Sequence, residues 1–401
     1  MTADVPALVL GGGINGLGVA RSLARARVPT WLLDDDVRRA EMRTRSANVL
    51  PVRSLHGDAL VDDLIRLKAS RFHDSRPVLF PTREDTVRTV SRYRHRLAAL
   101  YRFTLPPNDV LEALTHKHGF QQLAERFGAP IPPLVRVRSV EDLAALEALQ
   151  YPVVVKPGER HAPYGRQFRK AYRIENAADA IDLVRRILPV MPDVVVQEWI
   201  EGSDADIYFC LQHRDASGKT SASFTGRKIR SWPPQVGGTA SCVAAPEAHA
   251  ELVAMTDRFF RDAGVVGMAS MEYKRDARSG AFRMVEPTIG RSDYQEEVAT
   301  LNGVNLPYAA YAAELGLAPP VPALPKRPVV WRVRSEDRQS AIEQGQQPGQ
   351  GCPRGARVVD ALWRWSDPMP FVVQCLRRAR RSLLHRASKT VPLSQTTGGS
   401  R

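Results

Sequence analysis

The chain has 401 residues, 43% hydrophobic and 25% charged, a composition that suits two or three folded domains and excludes a wholly disordered chain. Its formal net charge of +14 comes mainly from arginines spread along the whole length, which does not gather the basic face that nucleic-acid binding needs. Cys210, Cys242, Cys352 and Cys375 are far apart with no Cys-x-x-Cys pair, which argues against a structural zinc site or disulfide scaffold and suits a reducing cytoplasm, the expected location.

The start of the chain carries Asp4 and a glycine cluster instead of a basic region and a long apolar core, so no secretory signal is expected. Residues 7–10 (Ala-Leu-Val-Leu) predict a short buried strand, followed by Gly11-Gly-Gly-Ile-Asn-Gly16 and a helical run through Leu23. Thr30-Trp-Leu-Leu33 then ends on Asp34-Asp-Asp36. This strand–helix–strand opening implies a doubly wound parallel sheet. A strand at 77–80 and a helix from Glu84 complete a first domain, 1–112.

Thr115 is expected to cap a helix that carries Phe120, Leu123, Ala124 and Phe127 on one face and stops at Gly128 and Pro130. A strand at 151–156, a Gly- and Arg-rich loop through Lys170, a helix at 177–188 and a strand at 194–197 follow. Further strands are expected within 206–223 and at 270–276 and 281–286. These elements make a second domain, 113–318, divided near residue 195. The apolar stretch 303–324 is broken by Glu314 and several prolines, so no membrane-spanning helix is expected. From 319 to 401 the chain turns rich in Pro, Gln and Gly; a small last unit holds Trp363, Trp365 and a basic helix, and the end from Ser394 is expected to be disordered.

Gly11-x-Gly13-x-x-Gly16, with Asp34 about 20 residues on, fits a dinucleotide fingerprint, because glycines let a pyrophosphate approach a helix N-terminus. Tight strand-to-helix turns of any α/β domain also favour glycine. An NAD- or FAD-dependent oxidoreductase is therefore one reading, but it leaves the lysines and carboxylates of the middle third unexplained.

Met271-Glu-Tyr-Lys-Arg-Asp276 and Ala281-Phe-Arg-Met-Val-Glu286 flank Ala277-Arg-Ser-Gly280, a hairpin turn composition. A turn centred on Ser279 sets Glu272 opposite or near Glu286 on one face, where two carboxylates repel unless one is protonated or a cation lies between them. Magnesium suits such a pair, since it takes a few carboxylate oxygens and completes its shell with phosphate and water. Lys156 ends an apolar strand and opens the cationic loop with Arg160, Arg166, Arg169 and Lys170, a composition suited to closing over phosphates. The next strand ends Val196-Gln-Glu-Trp-Ile-Glu-Gly-Ser-Asp204, an extended segment able to read an adenine edge, with a carboxylate one turn later.

In this order the motifs resemble the ATP-grasp superfamily over about residues 115–291, and within it the predicted carboxylate–amine ligases. The resemblance implies an α/β chain, α+β in its central part: an ATP-grasp fold with an N-terminal Rossmann-like pre-ATP-grasp domain and a small C-terminal unit. It implies ATP and Mg2+ as cofactors. Lys117 and Lys156 take the place of the two phosphate-contacting lysines, with Lys170 beside them. Gln197, Glu198 and Ile200 resemble the adenine hinge, and Asp204 the ribose carboxylate. Lys228 resembles a basic residue near the γ-phosphate, and Arg291 the arginine that closes the Glu-x-Asn-x-Arg type motif. Glu272 and Glu286 match the paired magnesium carboxylates. Thr288 stands where the family commonly has Asn, with one extra residue before Arg291, and a hydroxyl is a weaker metal ligand than an amide oxygen.

The implied reaction is activation of a carboxylic acid as an acyl phosphate and its ligation to an amine. The expected partners are those two small molecules and no nucleic acid. The C-terminal basic helix is available for weak contact with an anionic membrane surface, and a homodimer is open. The alternatives are the oxidoreductase above and a non-catalytic nucleotide-binding or basic scaffold protein.

Overall fold

In the computed structural model, residues 5–158, 162–169, 171–347 and 349–389 are described. Four strands, β1 (Ala7–Leu10), β2 (Thr30–Asp34), β3 (Asn48–Pro51) and β4 (Val78–Pro81), form a parallel sheet in the order β3-β2-β1-β4. All four β1 side chains are buried, as a central strand covered on both faces requires. The glycine cluster turns the chain from β1 into the Ile14–Arg25 helix: Gly11 has φ +114°, and a Cβ on Gly16 would lie 1.8 Å from the Gly11 carbonyl oxygen.

The expected cap at Thr115 is not found. One helix, Asn108–Thr115, ends there, and the next, Lys117–Arg126, starts after His116. The Thr115 hydroxyl bonds back to the carbonyls of Leu111 and Glu112, so it belongs to the helix before it.

A second, antiparallel sheet contains β5 (Leu134–Val137), β6 (Val153–Pro157), β7 (Tyr172–Ile174) and β8 (Val194–Glu198) in the order β5-β8-β6-β7. The Ala177–Ile187 helix packs on it, capped by the Asn176 side chain, which accepts from Asp179 N at 2.9 Å. The loop expected after Lys156 includes a short helix, Ala162–Gln167.

The third sheet is the largest. It joins β9 (Ile207–Arg214), β10 (Thr220–Trp232), β11 (Gly238–Ala244), β12 (Gly267–Arg275), β13 (Phe282–Ile289), β14 (Val329–Arg332) and β15 (Arg357–Asp360) in the order β13-β12-β9-β10-β11-β14-β15. All neighbours are antiparallel except β14 and β15. The residues beyond 319 thus extend this sheet by two strands. Alternation along the strands sorts the side chains: Tyr208, Cys210, Met271 and Tyr273 pack with Phe259 and Phe260 of the His249–Asp262 helix on one face. Phe209, Leu211 and Trp331 point to the other face, as do the groups described next.

Candidate nucleotide and metal site

The hairpin of β12 and β13 sets Glu272 directly opposite Glu286 and Ser270 opposite Thr288. Near the turn the register is different: Tyr273 faces Met284 and Lys274 faces Arg283, so Val285 is an extra residue. This bulge is what brings Glu286 onto the face of Glu272; an unbroken ladder would put Val285 there and turn Glu286 away. Glu286 is exposed and Thr288 half-buried.

Lys228 reaches Glu272 from β10, two strands away, with Nζ 2.8 Å from Oε2. Burial alone would lower the ammonium's pKa, but the Glu272 charge and hydrogen bond outweigh it and the net shift is upward. Burial pushes the Glu272 carboxyl up, with Lys228 pulling against it and Glu286 and Asp293 adding to the rise. The charge of Asp293, which was not singled out from the sequence, acts on both Lys228 and Glu272. Asp293 accepts from Ser270 Oγ at 3.2 Å, Gln295 Nε2 at 3.0 Å and Tyr294 N at 2.8 Å.

Lys156 lies on β6 of the antiparallel four-stranded sheet. Its Nζ donates to Gln197 Oε1 at 2.7 Å. Its pKa is lowered to about 8, first by burial and then by the nearby charge of Lys117, with Glu286 opposing. Lys117 and Glu286, from two other stretches of the sequence, are thus near enough for Lys156 to feel their charges.

At the hinge, Gln197 is buried and committed to Lys156, the Glu198 carboxylate accepts from Gln150 N at 2.9 Å, and Ile200 is buried. The Glu198 and Trp199 amides are taken by the carbonyls of Pro133 and Pro152, whereas the Ile200 amide has no hydrogen bond among the described residues. Lys274 Nζ lies 4.7 Å and Arg173 Cζ 5.3 Å from the Trp199 ring centroid. Arg291 donates to the Ser292 carbonyl at 3.1 Å and forms no ion pair among the described residues. Lys170 and Arg160 lie outside the described residues.

Two of the carboxylates singled out from the sequence are already hydrogen-bonded within the chain. Asp204 is 3% exposed and holds three donors, Ser231 N at 3.0 Å, Gln235 N at 2.8 Å and Gln344 Nε2 at 3.0 Å. It fastens the segment after β8 to β10 and to the chain beyond 319. The Gln344 contact spans 140 positions and left no local signal. Asp34, the ribose carboxylate of the dinucleotide reading, is likewise filled by Gly12 N at 2.6 Å, Asp36 N at 2.8 Å and Arg39 Nε at 3.0 Å. Its role is to close the glycine turn.

Whether a divalent ion fits is decided by the donors. Among the described residues no three His, Cys, Asp or Glu side chains converge as a metal cage. The adjacent Glu272 and Glu286, the latter in no ion pair among the described residues, suit an ion that draws the rest of its shell from phosphate and water, as Mg2+ does.

The parallel N-terminal sheet is Rossmann-like, and with the two sheets that follow it the chain has the ATP-grasp fold of similar solved structures. Among solved structures the chain is similar to N5-carboxyaminoimidazole ribonucleotide synthetase in complex with ADP, at 17% identity and TM-score 0.64 over 86% of each chain. It is also similar to the Staphylococcus aureus N5-carboxyaminoimidazole synthetase with ADP, at 14% identity and TM-score 0.62 over 82% of each chain. A third is the biotin carboxylase domain dimer of Hydrogenobacter thermophilus 2-oxoglutarate carboxylase with MgADP, ADP and bicarbonate, at 14% identity and TM-score 0.59, over 78% of this chain and 69% of that one. No protein-family model matches the chain, and neither does any curated protein. At these identities the likeness establishes the fold.

Proposed function

We propose that the chain is a Mg-ATP-dependent ligase that activates a carboxylic acid as an acyl phosphate and joins it to an amine. The observation that supports this reading most is the carboxylate pair Glu272 and Glu286 on facing strands, with Lys228 Nζ 2.8 Å from Glu272 and Lys156 near enough to feel the charges of Lys117 and Glu286. In this reading the lysines are the cations for phosphate and the two glutamates the carboxylates for a metal. The ADP, MgADP and bicarbonate complexes of the similar structures support it.

Held by Glu272 and Glu286, with Thr288 on the same face, a magnesium ion would supply Lewis-acid polarisation of phosphate oxygens. The chain's own residues do the positioning. The Ile200 amide offers a donor to a purine edge, and Lys156 and Lys117 neutralise phosphate charge. Lys228 is kept charged by Glu272 and is placed to offset charge as a substrate carboxylate oxygen attacks the γ-phosphorus and the bond to ADP breaks. Arg291 provides a further cation for the acyl phosphate. An incoming amine then attacks the acyl carbon, phosphate leaves with the acyl bond pair, and the amine gives up its proton. No protein nucleophile is required.

ADP release with a panel of acids and amines tests this. Glu286→Gln is expected to lower the rate by about a hundredfold or more, since it removes charge where phosphate charge is managed. Equal rates for both proteins would overturn the assignment.

A further inference from the structure

The last helix, Met369–Lys389, leaves an apolar stripe uncovered. Met369, Val372 and Leu376 recur at helical spacing and are 37%, 37% and 64% exposed, while Trp365, just before the helix, is 89% exposed. The stripe is firmly mounted. Trp363 packs edge-on against Phe371 and Trp365, with ring centroids 5.5 Å and 5.3 Å apart. Arg377 donates to the Arg38 carbonyl of the N-terminal domain, and Arg378 to Ser335 Oγ at 2.9 Å. The helix sequence also contains Arg377, Arg378, Arg380, Arg381, Arg386 and Lys389, and no Asp or Glu occurs after Asp367.

We propose that this face docks on an anionic lipid surface. The helix lies in the plane of the interface, Trp365, Met369, Val372 and Leu376 enter the boundary between headgroups and acyl chains, and the exposed Arg378 and Arg380 meet lipid phosphates. Among the described residues no helix is long and apolar enough to cross a membrane, so this contact is peripheral. Charge complementarity selects the occupant. A second copy would set one strongly cationic helix against another. A nucleic acid would use the arginines but give Met369, Val372 and Leu376 nothing to do. The docking face does not depend on the ligase reading, because none of its residues belongs to the nucleotide site.

Flotation of the full chain with vesicles tests the proposal, using phosphatidylcholine mixed with phosphatidylglycerol and phosphatidylcholine alone. The protein is expected to float with the anionic vesicles and stay down with the neutral ones, with binding that weakens as salt is raised. Trp365→Ser combined with Leu376→Ser should cut the partition by about tenfold or more while thermal melting stays unchanged. Absence of flotation with anionic vesicles would overturn the proposal. So would a double variant that floats like the wild type, which would leave arginine charge alone as the cause. Retention on single-stranded RNA that exceeds vesicle binding and ignores the double substitution would reassign the face to nucleic acid. A solution dimer dissociated by that substitution would reassign it to self-association.

Discussion

Lys156 illustrates how much of a site's chemistry is set by neighbours that are remote in sequence. Burial and the charge of Lys117 bring its pKa down to about 8, so above that pH the free protein loses the cation that phosphate needs. Nucleotide binding restores the charged form and must take up a proton there. The affinity for ADP is therefore expected to weaken as pH rises past about 8, by up to tenfold per unit. Lys156→Arg should flatten the profile, since a guanidinium stays protonated. Calorimetric titration with ADP on both sides of that pH checks this, and an unchanged affinity in the wild type would show that Lys156 does not face phosphate. Lys228 behaves oppositely, because Glu272 holds it charged. Both lysines stood out from the sequence; their different electrostatics did not, for a charge's neighbours come from other strands.

Among the elements, the hairpin of β12 and β13 was legible because turn composition and strand length constrain pairing locally. Its bulge at Val285 was not, and that one residue decides which face Glu286 shares. The chain beyond 319 was the least legible part. Its composition suggested a unit apart, yet β14 and β15 lie in the large sheet, and Gln344 reaches Asp204. A second tie is the buried ion pair of Arg21 and Asp367. Arg21 Nε and Nη2 lie 3.0 and 2.9 Å from Asp367 Oδ2, and Nη1 donates to the Ala361 carbonyl at 2.6 Å. Asp367 Oδ2 also accepts from Thr44 Oγ1 at 2.6 Å and Oδ1 from Arg45 N at 2.9 Å. Removing one partner strands the other charge out of water, so Arg21→Ala is expected to cost about 3–5 kcal/mol of stability by denaturant titration. A change below about 1 kcal/mol would mean that the two segments do not hold each other.

At the scale of the molecule, the Ile14–Arg25 helix of the N-terminal domain and the Glu297–Leu301 helix meet around a buried carboxyl. Glu296 is 1% exposed and touches Ser22 Oγ at 3.3 Å and Thr300 Oγ1 at 3.2 Å. Burial, with the charge of Glu297 adding to it, raises its pKa to about 8 from an ordinary value of 4.5. Glu297 is held by Arg364 at 2.7 Å and Trp331 Nε1 at 3.2 Å. Between those two pH values the native chain keeps a proton that the unfolded chain releases, so this group's contribution to stability falls as pH rises from about 4.5 to about 8. The slope is at most about 1.4 kcal/mol per unit. Glu296→Gln should remove that part of the slope, seen as a smaller difference in melting temperature between the two ends of the range. Identical slopes in both proteins would place the Glu296 carboxyl in contact with water.

The sequence by itself determined the opening strand–helix–strand unit, the glycine turn after β1, the carboxylate hairpin and the lysines at their strand and helix ends. Each is written in local periodicity, turn chemistry or short spacing, which act over a few residues. Tertiary structure alone decided that Glu272 pairs with Lys228, that Asp293 joins them, that Asp204 is occupied by Ser231, Gln235 and Gln344, and that the C-terminal strands complete the large sheet. Those outcomes depend on which distant segments share a sheet face and exclude water from it, a property of packing that local residue patterns do not carry.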